Sequence, residues 1–246
     1  MKSVLRYIGK KDIDLEKYEI HRSKIYVEPF GGSFNTGFKL IEQGYKGRLI
    51  YNDLDKNVYN FWIQVRDNVE RLTNYIENLD YIINKLSSPV EKERIIFEWS
   101  IDPDDIKKAA SEYIYRHYLT MNGLSFVRAV DPFIKLDLVL SSELLKRIEI
   151  YNREATNIIQ AFDSTVTFML VDPPYKMKEV DKYYRCNSSE FKHRELEKIL
   201  RDSKSKWLLT YNNDDYIDLL YDKYNKEIVS RDMFGRQYKE LYIKNF

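Results

Sequence analysis

The run Val166-Thr167-Phe168-Met169-Leu170-Val171 is apolar or β-branched at every position and stops at Asp172-Pro173-Pro174-Tyr175. Nothing in it alternates with solvent-facing residues, so it predicts a fully buried strand halted by two residues of fixed φ. Other strand-like runs are Ile25-Tyr26-Val27, Arg48-Leu49-Ile50-Tyr51, Ile148-Glu149-Ile150-Tyr151 and Lys206-Trp207-Leu208-Leu209-Thr210-Tyr211. Between these runs the spacing is helical: Phe34, Phe38, Leu40 and Ile41 share a side before Gly44, and further helices are expected over 154–162, 189–200 and from Asp214 to Tyr221. A polar, helix-prone segment covers 12–21, and alternation over 224–230 and 238–244 predicts an antiparallel pair joined through Phe234-Gly235-Arg236.

The middle of the chain differs. Val58, Phe61, Trp62 and Val65, then Leu72, Tyr75, Ile76, Leu79, Ile82 and Ile83, then Ile95, Ile96 and Trp99 recur at helical spacing. Asp102-Pro103-Asp104 predicts an N-cap at Asp102 with proline in the first turn, opening a helix that buries Ile106, Ala109, Ala110, Tyr113, Ile114 and Tyr118. No strand repeat of the βαβ kind occurs there. The expected architecture is an α/β fold with a mixed, mostly parallel sheet, in which residues 1–54 and 146–246 form one domain and residues 55–145 a mostly helical insert.

Composition narrows this without redirecting it. A chain of 246 residues can carry a full core, burying about 70–75% of its unfolded surface. The balance of 40 Lys+Arg against 39 Asp+Glu means that a polyanion would be met by local basic patches, not by net charge. One cysteine, Cys186, excludes an internal disulfide, and with three histidines it does not resemble a metal site. The amino terminus carries no apolar stretch of signal-peptide length and no run of 18 apolar residues occurs, so a soluble, cytoplasmic protein is expected.

Asp172-Pro173-Pro174-Tyr175 places a carboxylate, a carbonyl and an aromatic ring at a strand end. An exocyclic amine on a planar base could donate to Asp172 and to the Pro173 carbonyl while Tyr175 stacks on the ring face. The plainer alternative is a stiff strand-to-loop turn. Glu28-Pro29-Phe30-Gly31-Gly32-Ser33, between a strand and a helix, lets backbone approach a ligand closely. About 20 residues past that loop, Asn52-Asp53 ends the next strand, where Rossmann-like folds hold ribose hydroxyls, although Asp53 could equally cap the following helix. The glycines do not spell a dinucleotide or triphosphate loop, which favours an adenosyl ligand without a pyrophosphate. Arg6-Tyr7-Ile8-Gly9-Lys10-Lys11 is a basic turn with one ring. Arg116, Asn122 and Arg128 bring basic and amide groups to an Asn-Gly turn, a mixture suited to phosphates and base edges but also to an ordinary helix end. Lys176 and Lys178 open a charged segment past Tyr175 that is expected to be a mobile loop over the site.

Taken in order, these motifs resemble those of the Dam-type (D12 class) S-adenosylmethionine-dependent DNA adenine-N6 methyltransferases, over nearly the whole chain. Arg6 to Lys11 is similar to the family's first cofactor motif, Glu28 to Gly32 to its glycine loop, and Asp172-Pro173-Pro174-Tyr175 is identical to its catalytic motif. Leu208 to Asn213 and Lys239 to Ile243 are similar to its later strand motifs. The resemblance implies a Rossmann-like methyltransferase fold whose helical insert recognises the target, and base flipping of an adenine. It assigns Asp172, Pro173, Pro174 and Tyr175 to catalysis, and Tyr7, Gly9, Lys11, Glu28, Pro29, Phe30, Gly31, Gly32, Ser33 and Asp53 to S-adenosyl-L-methionine. Its implied partners are double-stranded DNA and a separately encoded cognate restriction endonuclease; Arg116, Asn122, Arg128, Lys176 and Lys178 are expected at the DNA from their own chemistry, Arg128 standing two places later after Asn-Gly than in the family. It further implies a monomer or weak dimer of bacterial or phage origin, needing no metal. Other readings of the same residues are RNA adenine methylation and an inactive DNA-binding homologue.

Overall fold

The computed structural model describes residues 3–7, 11, 13–120, 123–124, 134–175, 191–233 and 236–246, with backbone alone at 119–120, 123–124, 134, 231–233 and 236. The chain forms two compact units. One gathers residues 14–31, 44–54 and 151–246, and the other residues 1–13, 32–43 and 55–150.

The first unit is built on strands β1 (Ile25–Glu28), β2 (Arg48–Asn52), β6 (Thr167–Val171), β7 (Lys206–Asn212), β8 (Asn225–Met233) and β9 (Arg236–Lys244). With β5 (Ile148–Tyr151) they make a seven-stranded sheet in the order β5-β2-β1-β6-β7-β9-β8. β2, β1, β6 and β7 run parallel, while β9 is antiparallel to both β7 and β8. β6 lies between β1 and β7 with all five residues buried, which is why its sequence lacks polar alternation. Val166, expected to begin this strand, lies just outside it and is 40% exposed. On one sheet face Val27, Met169, Val171, Leu209, Tyr211, Leu241 and Ile243 pack with α7 (Ala155–Ala161), α8 (His193–Asp202) and α9 (Asp215–Leu220) through Ile158, Ile159, Leu196, Leu200 and Ile217. Asp163 ties the end of α7 to the start of β7, with its Oδ1 accepting from Ser203 Oγ at 2.5 Å, Ser205 Oγ at 2.8 Å and the Ser205 N–H at 3.0 Å.

The second unit holds α1 (Asn35–Glu42), α2 (Lys56–Asp67), α3 (Val69–Lys85), α4 (Pro89–Ser100), α5 (Asp105–Tyr118) and α6 (Ile134–Leu145), with a short hairpin of β3 (Leu119–Thr120) and β4 (Gly123–Leu124) after α5. α5 packs on α2, α3 and α4, and α6 on α2 and α3. The apolar stripes predicted for these helices are their buried faces, with Phe61 stacked on Tyr113 at 6.1 Å and edge-on to Trp62 at 5.1 Å.

Two local expectations are corrected. The helix-prone segment over 12–21 gives turns and a 3-10 turn at Ile20–Arg22, because the Asp14 carboxylate accepts from the N–H groups of Glu16 and Lys17 and Glu19 turns left-handed at φ 53°. The cap of α5 is Asp104, whose Oδ1 accepts from Ile106 N at 2.9 Å, not Asp102. Asp102 closes its own turn around Pro103 by accepting from Asp104 N at 2.9 Å, which moves the helix start downstream. No helix among the described residues is long and apolar enough to cross a membrane.

Candidate active site

In the sheet order, chain progress runs from β1 outward to β2 on one side, while β6 and β7 fill the other side. The loops leaving β1 and β6 therefore diverge at the carboxyl edge of the parallel strands, the switch point where open α/β sheets bind ligands. Glu28 to Gly31, Asp53, Asp172 to Tyr175, and Thr210 to Asn212 all lie at that edge.

Asp172 follows the last residue of β6 and is partly exposed. Its Oδ1 accepts from Thr210 Oγ1 at 2.5 Å. Pro173 is buried and Pro174 half-buried. The Tyr175 ring lies 5.8 Å from that of Tyr211 at 37°, and its hydroxyl donates to Glu240 Oε1 at 3.4 Å. Glu240 is buried and also accepts from Tyr242 at 3.4 Å. Tyr211 is held by His193, with Nδ1 and the hydroxyl 2.7 Å apart. Burial, then the charge fields of Tyr221 and Asp172, push the Tyr211 phenol well above its ordinary pKa, so it stays protonated beside the carboxylate. The aromatic wall continues from His193 to Phe191 at 5.0 Å and on to Phe30 at 5.6 Å.

At the glycine loop, the Gly31 N–H donates to Asn52 O at 2.7 Å, and the Asn52 amide donates to the carbonyls of Pro29 at 2.8 Å and Arg153 at 2.9 Å. A Cβ on Gly31 would sit 2.2 Å from the ring of Tyr51, so no side chain fits there. Glu28 is buried and accepts from Tyr26 Oη at 2.7 Å. Asp53 is buried, and its N–H donates to Tyr151 O at 3.2 Å. The cap of α2 is Asp55, accepting from Asn57 N at 2.9 Å, which removes the capping alternative for Asp53.

In the helical unit, Gly32 adopts φ +48° and its carbonyl accepts from Trp62 Nε1 at 3.0 Å. A Cβ at Gly32 would stand 3.0 Å from the Tyr7 ring, which itself lies over the Arg116 guanidinium at 4.5 Å. Lys11 and Ser33 are buried, and the Lys11 carbonyl accepts from Asn35 Nδ2 at 2.8 Å. Arg116 does not face outward as a DNA contact would. It is buried, paired through Nε with Glu112 and through Nη2 with Asp55 Oδ2 at 3.1 Å. Its guanidinium is thus spent on two carboxylates and a ring. Gly9, Asn122, Arg128, Lys176 and Lys178 lie outside the described residues.

Thr210 and Glu240 were not singled out by sequence reading. The signal for Thr210 was a lone hydroxyl within the apolar run from Trp207 to Tyr211, and for Glu240 a lone carboxylate before Leu241-Tyr242-Ile243.

The model of the D12 class N6 adenine-specific DNA methyltransferase family matches residues 11–234. The Type II methyltransferase M.MjaIII of Methanocaldococcus jannaschii is 25% identical over 243 residues, which cover 86% of this chain and 82% of that protein. Among solved structures, a Streptococcus pneumoniae candidate tRNA (m1A22) methyltransferase overlaps with a TM-score of 0.39 at 9% identity, covering 95% of this chain and 70% of that one. A Haemophilus influenzae candidate methylase overlaps with a TM-score of 0.36 at 12% identity, covering 93% and 90%.

Proposed function

The chain belongs to the D12 class N6 adenine-specific DNA methyltransferase family, and we propose that it methylates adenine N6 within a specific duplex sequence, taking the methyl group from S-adenosylmethionine after flipping the base. The observation that carries this reading is the placement of Asp172-Pro173-Pro174-Tyr175 at the end of the central strand, with the glycine loop on the adjacent strand β1.

The residues fit an adenosyl cofactor. At the glycine loop the Gly31 N–H is bonded to Asn52 O, which holds that backbone at the edge of the parallel strands, and Asp53 presents a buried carboxylate that is not the helix cap, suited to accept from ribose hydroxyls. When bound, S-adenosylmethionine supplies an electrophilic methyl group. The protein's part is to bind, orient and exclude water. Glu28, Pro29 and Phe30 line the same edge, and the family motif assigns Tyr7, Lys11, Gly32 and Ser33 to the cofactor as well. The Asp172 carboxylate and the Pro173 carbonyl accept hydrogen bonds from the two N6–H groups, which draws the nitrogen lone pair out of conjugation and fixes its direction. Tyr175, braced by Tyr211, stacks on the base. Stacking worth roughly 1–3 kcal/mol offsets much of the few kcal/mol needed to unpair the adenine. The cognate restriction endonuclease, in this reading, is a separate chain.

The test is to incubate the protein with unmethylated duplex DNA and labelled S-adenosylmethionine, digest, and identify the labelled nucleoside. N6-methyladenine from the wild type and none from Asp172→Ala is the expected result. An Asp172→Ala enzyme that methylates at the full rate would overturn the assignment.

A further inference from the structure

Thr210 is fully buried, at 0% exposure, and a buried hydroxyl needs a partner. Its partner is the carboxylate at the reacting end of β6: Oγ1 donates to Asp172 Oδ1 at 2.5 Å. The meeting follows from register. Val171 is opposite Leu209 on the parallel neighbour β7, so the next residue on each strand, Asp172 and Thr210, are lateral neighbours with side chains on one face of the sheet. Thr210 is also opposite Tyr242 of β9, so the backbone that carries its hydroxyl is laddered, and its branched Cβ restricts χ1. Asp172, by contrast, stands one residue beyond the end of β6 and is only partly buried.

We propose that Thr210 is a positioning residue for methyl transfer. Its hydroxyl, fixed by β7, holds Oδ1 of Asp172 and so sets the plane of the carboxylate, and with it the direction from which the carboxylate accepts the adenine N6–H. Thr210 itself touches neither base nor cofactor. The inference rests on the reading of Asp172 as the catalytic carboxylate. A carboxylate that loses this bond can rotate more widely, and the acceptor geometry that orients the amine is then reached less of the time. The rival explanation is that the pair merely satisfies a buried hydroxyl. That rival places the cost of losing it in stability, whereas positioning places it in kcat and leaves substrate binding alone.

Thr210→Val keeps the shape and removes the donor, while Thr210→Ser keeps the donor and removes a methyl group. Each is compared with wild type and Asp172→Ala for Tm, for S-adenosylmethionine and duplex dissociation constants, and for kcat of methylation. The expected result is a kcat lower by roughly 10- to 100-fold in the valine variant, the scale of a lost hydrogen bond to a charged group. Both dissociation constants should stay within about threefold, and the serine variant should recover most of the rate. A valine variant with wild-type kcat, or a serine variant as slow as valine, overturns the inference. If the valine protein does not fold, Thr210→Ala serves in its place, and a folded alanine variant at wild-type kcat gives the same refutation. An active Asp172→Ala enzyme instead sinks the catalytic assignment itself. A dead Asp172→Ala enzyme beside a fully active Thr210→Val one removes the role of Thr210 alone.

Discussion

Arg116→Met separates two roles that its position would allow. The substitution keeps most of the unbranched stem and removes the guanidinium, leaving Glu112 and Asp55 buried without the cation between them. In the native protein burial alone would pull the arginine pKa down, but the charges of Glu112, Tyr7 and Asp55 outweigh it and hold the group above its ordinary value, so it is always a cation. Removing one partner of such a buried group costs about 3–5 kcal/mol, because the remaining charge is left uncompensated. For a chain of 246 residues unfolding as one transition, an unfolding entropy near 2.1 cal/mol/K per residue converts that into a Tm lower by about 6–10 °C. The assay is a thermal melt paired with DNA affinity measured across a salt series. Expected are the fall in Tm and an unchanged slope of log K against log[salt], since no phosphate contact has been lost. An unchanged Tm with a slope shallower by about one unit would show Arg116 neutralising a phosphate, and would refute the structural role.

Other substitutions test the remaining parts. Gly31→Ala places a Cβ 2.2 Å from the ring of Tyr51, itself 1% exposed and unable to yield, so stability should drop by about 1–3 kcal/mol and cofactor affinity with it; a variant with wild-type melting and binding would mean the loop relaxes freely. Asp53→Ala should weaken S-adenosylmethionine binding by roughly 10- to 100-fold in calorimetry, and an unaltered dissociation constant would remove its ribose role. At Asp163 burial raises the pKa, but the hydroxyls of Ser203 and Ser205 and the N–H groups of Lys204 and Ser205 outweigh it and hold the pKa below the usual 3.8. Its stabilisation is therefore complete above that value and disappears as pH falls through the lower folded-state pKa. Asp163→Asn should accordingly narrow the difference in urea midpoint between about pH 6 and about pH 3, and an unchanged difference would place the acid sensitivity elsewhere.

What could be seen in the chain and what could not follows one physical line: local pattern records how much of an element is buried, not which distant group meets it. β6 and β7 were visible because a strand covered on both faces has no polar alternation, and α2 to α5 because each buries one stripe at a 3.6-residue period. The antiparallel pair of β8 and β9 was visible in its alternation. Asp102 misled because an aspartate before proline serves equally as a helix cap or as an Asx turn, and the choice depends on where Asp104 bonds. Arg116 misled more instructively. Its neighbours Arg116-His117 before an Asn-Gly turn suggested an outward basic end, yet Glu112 and Arg116 stand one helical turn apart among the buried residues Ala109 and Tyr113, and Asp55 is 61 positions away. A charge on the buried side of a helix implies a partner, but only the fold says that the partner includes Asp55 and the ring of Tyr7. The same logic holds at the reacting edge. Asp172 was conspicuous because it ends an apolar strand, whereas Thr210 gained meaning only once Val171 was set opposite Leu209. Asp172 was thus legible as an interruption of pattern, and its bond to Thr210 became legible through register.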